Sequence, residues 1–357
     1  MTVTGPHFAF PGICDLGNGE LIMFARDGPG HGGTAQAIRS WRTTNGNDAT
    51  PTWTQDADVV TRAKPPVDWR DPCAMTTGQG TIIVTMFGGG HAYCSRSTDR
   101  GATWSAPILL GQEPDAFGPT GRSACSGPAV EVVPGVLMAA VHGAPVPRVV
   151  PSTPTTAPSG TDDGGDDPIV NPTSVRVISS TDDGLTWGRS TLVADSEGDQ
   201  VKYFEPNLCV LDTGELYCML RVSTNVRRYS TSTDQGATWS KPVELPMQKV
   251  SGRPTTIQCS DPARTMLHVY RPTSIARMAR YVTSTDRGRT WGEPGVLTPG
   301  AGAVTPGPGG WFTYAQMVET APGDVAVAFS VESNPGAHDG IGGASYLFFD
   351  RITATER

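Results

Sequence analysis

The chain has no C-x-x-C pair, and its seven cysteines fall at irregular intervals along 357 residues. That spacing argues against both a disulfide framework and a zinc site. Cys14, Cys73, Cys209, Cys218 and Cys259 stand in apolar, strand-like patterns, where cysteine serves as a small core residue. No apolar run approaches the ~18 residues of a membrane-spanning helix, so membrane insertion is not expected. The N-terminus shows no basic-then-apolar export signal, and Phe8-Ala9-Phe10-Pro11 already reads as a first strand. No long segment carries helical periodicity. The 27 Lys and Arg against 35 Asp and Glu leave a net charge of -8, which argues against nucleic-acid binding. The acidic run Asp162-Asp163-Gly164-Gly165-Asp166-Asp167 lacks calcium-ligand spacing and reads as solvated charge. Neither a metal nor a cofactor is expected.

What the chain does have is turn-forming residues, 43 Gly and 31 Pro, and one phrase written four times. The phrase is S-x-D-x-G-x-x-W, at Ser97–Trp104, Ser180–Trp187, Ser232–Trp239 and Ser284–Trp291. In such a phrase the Asp carboxylate accepts backbone N–H groups ahead of it, and Gly supplies a left-handed turn position. The Trp then buries its ring against a sheet. These residues are read as structural, not catalytic. The four Trp are separated by 83, 52 and 52 residues, and a worn fifth copy (Thr43-Thr44-Asn45-Gly46, then Trp53) lies upstream. The long step contains a Pro-, Thr-, Gly- and Asp-rich insertion at about 143–172, read as an exposed loop. Without it the period is ~50 residues, as for a four-stranded propeller blade.

Strand patterns divide the chain into six modules: Phe10–Arg26, Asp71–Phe87, Gly127–His142, Glu205–Arg221, Arg253–Arg271 and Tyr314–Glu332. The expected fold is all-β, a six-bladed β-propeller of four-stranded antiparallel blades, with residues 1–357 forming a single domain. Five modules open on Pro11, Pro72, Pro128, Pro206 and Pro254, placed at the first strand position, where a missing N–H is tolerated. The preceding residues are then brought to one end of the central channel: Phe10, Asp71, Gly127, Glu205, Arg253 and, by register, Tyr314. Packing alone would not choose Asp, Glu, Arg and Tyr there. Arg26, Arg221 and Arg271 end the second strands of their modules, and His142 holds that place in the third.

The four boxes, the six modules, the Glu205-Pro206 strand and the Tyr opening the sixth module resemble the sialidase (neuraminidase) superfamily of six-bladed propellers. The likeness spans the whole chain apart from the insertion. It implies Tyr314 as nucleophile and Glu205 as its base, an exception to the two-carboxylate rule of glycosidases. The choice has a physical reason: a sugar with a carboxylate on its anomeric carbon repels an anionic nucleophile but not a neutral phenol. The resemblance assigns Arg221 to the substrate carboxylate, with Arg277 or Arg280 as a second cation, since guanidinium pairs with carboxylate through two hydrogen bonds. It places Asp71 against the sugar. Two features depart from the family pattern. Ala9-Phe10-Pro11 stands where an Arg-Ile-Pro phrase supplies a third arginine, leaving Arg26 or Arg253 to supply that cation from another direction, with Arg271 a further substrate-binding candidate. The acid normally found in the loop after the second strand of the first module has only Asp27 or His31 as candidates.

The expected activity is therefore an exo-glycosidase on sialic acid or a related acidic sugar. Its alternative is an inactive glycan-binding propeller for host-surface recognition. The missing export signal, set against a glycan ligand, implies virion association with tail proteins as partners if the chain is phage-encoded, and a cytoplasmic location otherwise.

Overall fold

The computed structural model describes residues 3–4, 7–28, 37–48, 50–61, 67–111, 117, 121–144, 173–196, 201–273, 279–297, 311–332 and 345–354. Most of the insertion, together with His31 and Arg277, lies outside these residues. Six antiparallel sheets follow one another as the blades of a propeller. Blade one contains β2 (Phe8–Asp15), β3 (Leu21–Asp27), β4 (Ala37–Thr43) and β5 (Thr54–Gln55). Blade two contains β6 (Arg70–Thr76), β7 (Ile82–Gly88), β8 (His91–Ser97) and β9 (Ile108–Leu109). In blade three the inner strand is split into β10 (Arg122–Ala124) and β11 (Val130–Val133), both paired with β12 (Val136–Ala144). Residues 125–129, Ser126-Gly127-Pro128 at their centre, fill the break, and β13 (Ser174–Ser180) and β14 (Ser190–Asp195) complete the sheet.

Blade four is β15 (Tyr203–Val210), β16 (Leu216–Val222), β17 (Arg227–Ser232) and β18 (Val243–Glu244). Blade five is β19 (Val250–Gln258), β20 (Met266–Pro272), β21 (Arg280–Ser284) and β22 (Gly295–Val296). Blade six joins β23 (Trp311–Ala321), β24 (Asp324–Glu332) and β25 (Ser345–Thr353) to β1 (Val3–Thr4) from the other end of the chain, with Val3 opposite Leu347.

The second strands explain the continuous apolar runs in the sequence. Every residue of β3 and of β16 is buried, because both faces of each blade are covered by neighbouring blades. Apolar clusters fill the seams: Phe24 and Ile38 with Val84 and Met86 between blades one and two, Leu267 and Val269 with Phe312 and Val327 between five and six. Four outer strands are two residues long, which keeps the exposed edges too short to template pairing.

Polar side chains stitch the blades around the channel. Gln316 Oε1 accepts the N–H groups of Ile13 (3.0 Å) and Ala74 (2.9 Å), and its Nε2 donates to Ala74 O (2.6 Å), so one amide ties blade six to blades one and two. Gly12 beside it has no room for a side chain, since a Cβ would lie 2.5 Å from Pro72 O. Asn207 Oδ1 accepts Thr256 N–H at 2.9 Å between blades four and five, and Thr85 Oγ1 donates to Gly127 O at 2.7 Å between two and three.

The four boxes are closed turns of one design. In the first, Ser97 Oγ donates to Asp99 Oδ1 (2.7 Å) and accepts Gly101 N–H (2.7 Å), while Asp99 accepts the N–H (2.9 Å) and hydroxyl (2.5 Å) of Thr103. Arg100 and Gly101 are both left-handed, and Asp183–Gly184, Gln235–Gly236 and Arg287–Gly288 repeat the pair. In the worn copy Thr43 and Asn45 take the Ser and Asp places, joined by a 2.8 Å hydrogen bond. The Trp rings differ more than the turns. Trp187 is only 1% exposed, sealed between blades two and three, whereas Trp104, Trp239 and Trp291 are half-buried on the rim.

Trp187→Ala is therefore expected to cost about 3–5 kcal/mol, as for other buried aromatics, and Trp239→Ala distinctly less. Denaturant unfolding checks this, and equal costs would contradict the difference in burial. The boxes also shape acid stability. Hydrogen bonds from Thr103 and Thr238 hold the carboxyls of Asp99 and Asp234 down at about 2. A depressed carboxyl stabilises the fold fully above its unfolded value of about 3.9 and loses that contribution as pH falls towards 2. The melting temperature of the native chain should fall more steeply across that window than that of an Asp99→Asn, Asp234→Asn double variant.

Candidate active site

Five of the inner strands break their ladders near the start of the strand, and β23 has a second irregularity between Glu319 and Ala321. Register shifts fall between Ala9 and Gly12, Arg70 and Cys73, Phe204 and Asn207, Ser251 and Thr255, and Phe312 and Ala315. An extra residue in one strand is a β-bulge, which re-aims a side chain. Pro11, Pro72, Pro206 and Pro254 lie inside these bulges, not at the first strand position, and their missing N–H falls where the ladder is already open. The residues before three of them are left-handed: Phe10 (φ 57°), Asp71 (φ 50°) and Glu205 (φ 37°). Left-handed backbone at a non-glycine residue costs about 1–3 kcal/mol and concentrates at functional sites.

These three residues and Tyr314 line one cavity of about 200 Å³ at the channel mouth, with Arg70, Phe87, Ala124, Ser126, His142, Phe204 and Arg221 completing the wall. The Tyr314 hydroxyl donates a short hydrogen bond to Glu205 Oε1, and Arg221 Nη1 donates to Glu205 Oε2 at 2.7 Å. Burial would raise the Glu205 carboxyl, but the Arg221 charge and the hydrogen bonds from Tyr314 and Arg221 outweigh it, leaving the carboxyl below its ordinary range. Burial and the Glu205 charge push the Tyr314 phenol well up. At rest the proton therefore sits on the phenol, beside a carboxylate able to take it. Behind Glu205, the His142 Nδ1 accepts the Glu205 N–H at 3.2 Å, and burial lowers that imidazole to about 4, so it is neutral near pH 7.

Asp71 is 4% exposed. Burial raises its carboxyl most, Arg253 opposes that, Glu205 adds to it, and a hydrogen bond with Ser126 opposes it; the net displacement is upward. The Phe10 ring lies 5.3 Å from that of Tyr314 and lines the cavity, while Ala9, at the place where an arginine was expected, is fully buried.

The remaining arginines stand behind the wall. Arg253 is buried, donates Nη2 to Ala315 O at 2.7 Å, and holds its guanidinium carbon 4.9 Å from the centre of the Tyr314 ring. In blade five the bulge is one residue longer and Gly252 takes the left-handed place, so Arg253 turns beneath the site. Arg26 is fully buried and donates to Asp68 Oδ1 at 2.9 Å, while Asp68 Oδ2 pairs with Arg70 at 2.6 Å. Arg26 thus acts on the cavity through Asp68, which steers Arg70. Arg271 donates to Ser251 Oγ (2.8 Å) and Phe312 O (3.2 Å), bracing the entries of β19 and β23. Asp27, at the end of β3, pairs with Arg39 of β4 at 2.9 Å and does not line the cavity.

Sequence reasoning overlooked Arg70, Ser126, Phe87 and Phe204 as wall residues. Arg70 and Phe204 had a signal, each preceding a residue read into the site, and Phe87 ends the second strand of its module as Arg221 does in blade four; Ser126 had none. A buried arginine, Arg227, was also missed: it spans to Gly252 O at 2.8 Å, and burial foremost, with the Arg221 charge, lowers it to about 9.

Arg253→Met separates a supporting role from ligand contact. Removing the cation leaves Ala315 O and Asp71 without it, so destabilisation of about 3 kcal/mol is expected by denaturant unfolding. A variant of unchanged stability but weakened ligand affinity would instead make Arg253 a contact residue.

Comparison with known proteins agrees with this architecture. A protein of unknown function from Dyadobacter fermentans is 19% identical and superposes with a TM-score of 0.70, over 98% of this chain and 97% of that one. The Hadza microbial sialidase Hz136 is 17% identical with a TM-score of 0.68, over 97% of this chain, which spans 66% of the sialidase. The α-L-arabinofuranosidase Arb93A of Fusarium graminearum is 11% identical with a TM-score of 0.62, over 98% of this chain and 94% of that one. At these identities what is shared is the fold. No curated protein sequence matches the chain. The model of the BNR repeat-like domain, however, matches residues 19–327, which takes in all four boxes and every cavity residue but Phe10. The chain belongs to the BNR repeat-like domain family, on a six-bladed propeller shared with sialidases and an arabinofuranosidase.

Proposed function

We propose that the chain is a glycoside hydrolase in which Tyr314 is the nucleophile and Glu205 its base, acting at the end of a glycan on sialic acid or a related acidic sugar. The observation that carries this reading is the hydrogen bond from Tyr314 to an ionised Glu205 at the floor of a sugar-sized cavity. A neutral phenol approaches an anionic sugar without repulsion, and Glu205 draws its proton only as the new bond forms. Arg221 orders the carboxylate of Glu205 from the other side, and its guanidinium, with that of Arg70, gives the cavity positive charge to meet an anionic substituent.

One observation favours a second reading. Ala9 stands where the resemblance implies the arginine of a carboxylate clamp, and the apolar Phe10 beside it lines the cavity, so the pocket suits a sugar with less charge to hold, or binding of a glycan without turnover. The arabinofuranosidase among the structural relatives agrees with a wider sugar range for this fold. Neither the fold nor these relatives support a virion or tail-protein partner, and the proposed ligand is carbohydrate alone.

Hydrolysis of a panel of fluorogenic acidic-sugar ketosides and neutral glycosides, with Tyr314→Phe alongside, tests the proposal. The native chain is expected to release fluorophore, and the variant to lose about 10³-fold or more in kcat/KM with its melting temperature preserved. Binding without release by both proteins would establish the second reading.

A further inference from the structure

The cavity contains six ionisable side chains among its described wall residues: Arg70, Asp71, His142, Glu205, Arg221 and Tyr314. Hydrolysis through a tyrosine leaves the departing oxygen in need of a proton, and five of the six cannot give one. Glu205 is engaged by Tyr314 and Arg221. His142 presents Nδ1 as an acceptor to Glu205 N–H, so its ring is not a cation there. The guanidinium groups of Arg70 and Arg221 do not release protons near neutral pH. Tyr314 makes the new bond. Asp27, one of the two loop candidates, is turned away to Arg39.

We infer that Asp71 is the proton donor of the proposed hydrolysis, set on blade two across the cavity from the Tyr314–Glu205 pair of blades six and four. Three observations place it. Its left-handed bulge repeats the backbone device that presents Glu205, so it is aimed at the same cavity from another blade. It is 4% exposed while lining that cavity, so a sugar seated there would cover it from water. The groups that face it are balanced: Arg253 and Arg70 against Glu205, with Ser126 on its carboxyl, while Tyr314, Arg26, Cys73 and Cys125 stand nearby. Burial together with Glu205 prevails, which favours the protonated acid.

The step balances as follows. The bond from the anomeric carbon to the departing oxygen breaks, its electron pair goes to that oxygen, and the Asp71 proton is delivered there. The Tyr314 oxygen bonds to the anomeric carbon, and the phenolic proton passes to Glu205 Oε1. Water then reverses both transfers: Asp71 takes a proton from the water that attacks the anomeric carbon, and the Tyr314 oxygen leaves with the proton held by Glu205.

This assignment rests on the hydrolase reading, and the test separates the two. Asp71→Asn keeps the shape, and Asn tolerates left-handed backbone. With aryl glycosides of graded leaving-group acidity, the variant should lose about 10²–10⁴-fold on a phenol that leaves poorly. It should lose less than about tenfold on dinitrophenol, which departs without a proton, and azide should restore turnover of that substrate. A loss uniform across leaving groups, or a graded loss in Asp27→Asn or His31→Ala instead, would overturn the inference. A second measurement does not need turnover. In infrared difference spectra between native chain and Asp71→Asn followed against pH, the carbonyl band of the Asp71 carboxyl should persist to higher pH than that of an ordinary aspartic acid, and its loss within or below the ordinary range would overturn the inference. Absence of any hydrolysis by the native chain, with Asp71 protonated, would overturn the hydrolase reading and the step assigned to Asp71 with it.

Discussion

An inner propeller strand has to pair with its neighbour along its length and yet turn one side chain towards the channel mouth. It meets both demands by carrying an extra residue at a fixed height, and the site is built from those residues. Phe10, Asp71 and Glu205 sit in left-handed backbone there, a conformation their side chains resist. Pro11, Pro72 and Pro206 follow directly, supplying a residue that needs no ladder partner where the ladder is open. The strain is held by what lies around it: Gln316 clamped to Ile13 and Ala74, and Gly12 pressed against Pro72.

Charge is organised in two layers. The upper layer faces the cavity, with Glu205 divided between Tyr314 and Arg221, and Asp71 opposite. The lower layer holds Arg253 beneath the Tyr314 ring and Arg26 behind Asp68. Cations below a site fix the backbone carbonyls and carboxylates that aim the upper layer, so they shape chemistry they do not touch. This explains a site with several arginines close by and, among the described residues, only Arg70 and Arg221 on its surface.

Blade number and site floor were legible in the sequence because both are periodic. The box returns at a fixed interval whatever the rest of a blade contains, and the residue before each Pro shares one register. That register leads to the right bulge in blade six but misses by one place: Tyr314 stands second in its bulge, where blade four has Pro206, and position 313 holds the place of Glu205. The roles of the arginines were not legible, because they turn on a single residue of register. Gly252 takes the left-handed position in blade five, which carries Arg253 one place further and beneath the site. A one-residue slip reverses the face a strand residue presents. The split inner strand of blade three, and Ser126 in its break, were hidden for a related reason: the interruption looks like any other strand entry until its pairing with β12 is known.

Blade six draws β1 from one end of the chain and β25 from the other, and it also carries Tyr314. Contacts so distant in sequence are the slowest to form, because the entropy of closing the whole loop is met before they contribute. Five blades can stack in the order of synthesis, each on the one before, while the sixth waits for the remainder of the chain. Glu205 and Asp71 are thus present early on an open crescent, and Tyr314 reaches them only when the ring shuts. Assembly of the pocket and completion of folding are then the same event, and a chain interrupted at any earlier stage exposes its carboxylates without their tyrosine.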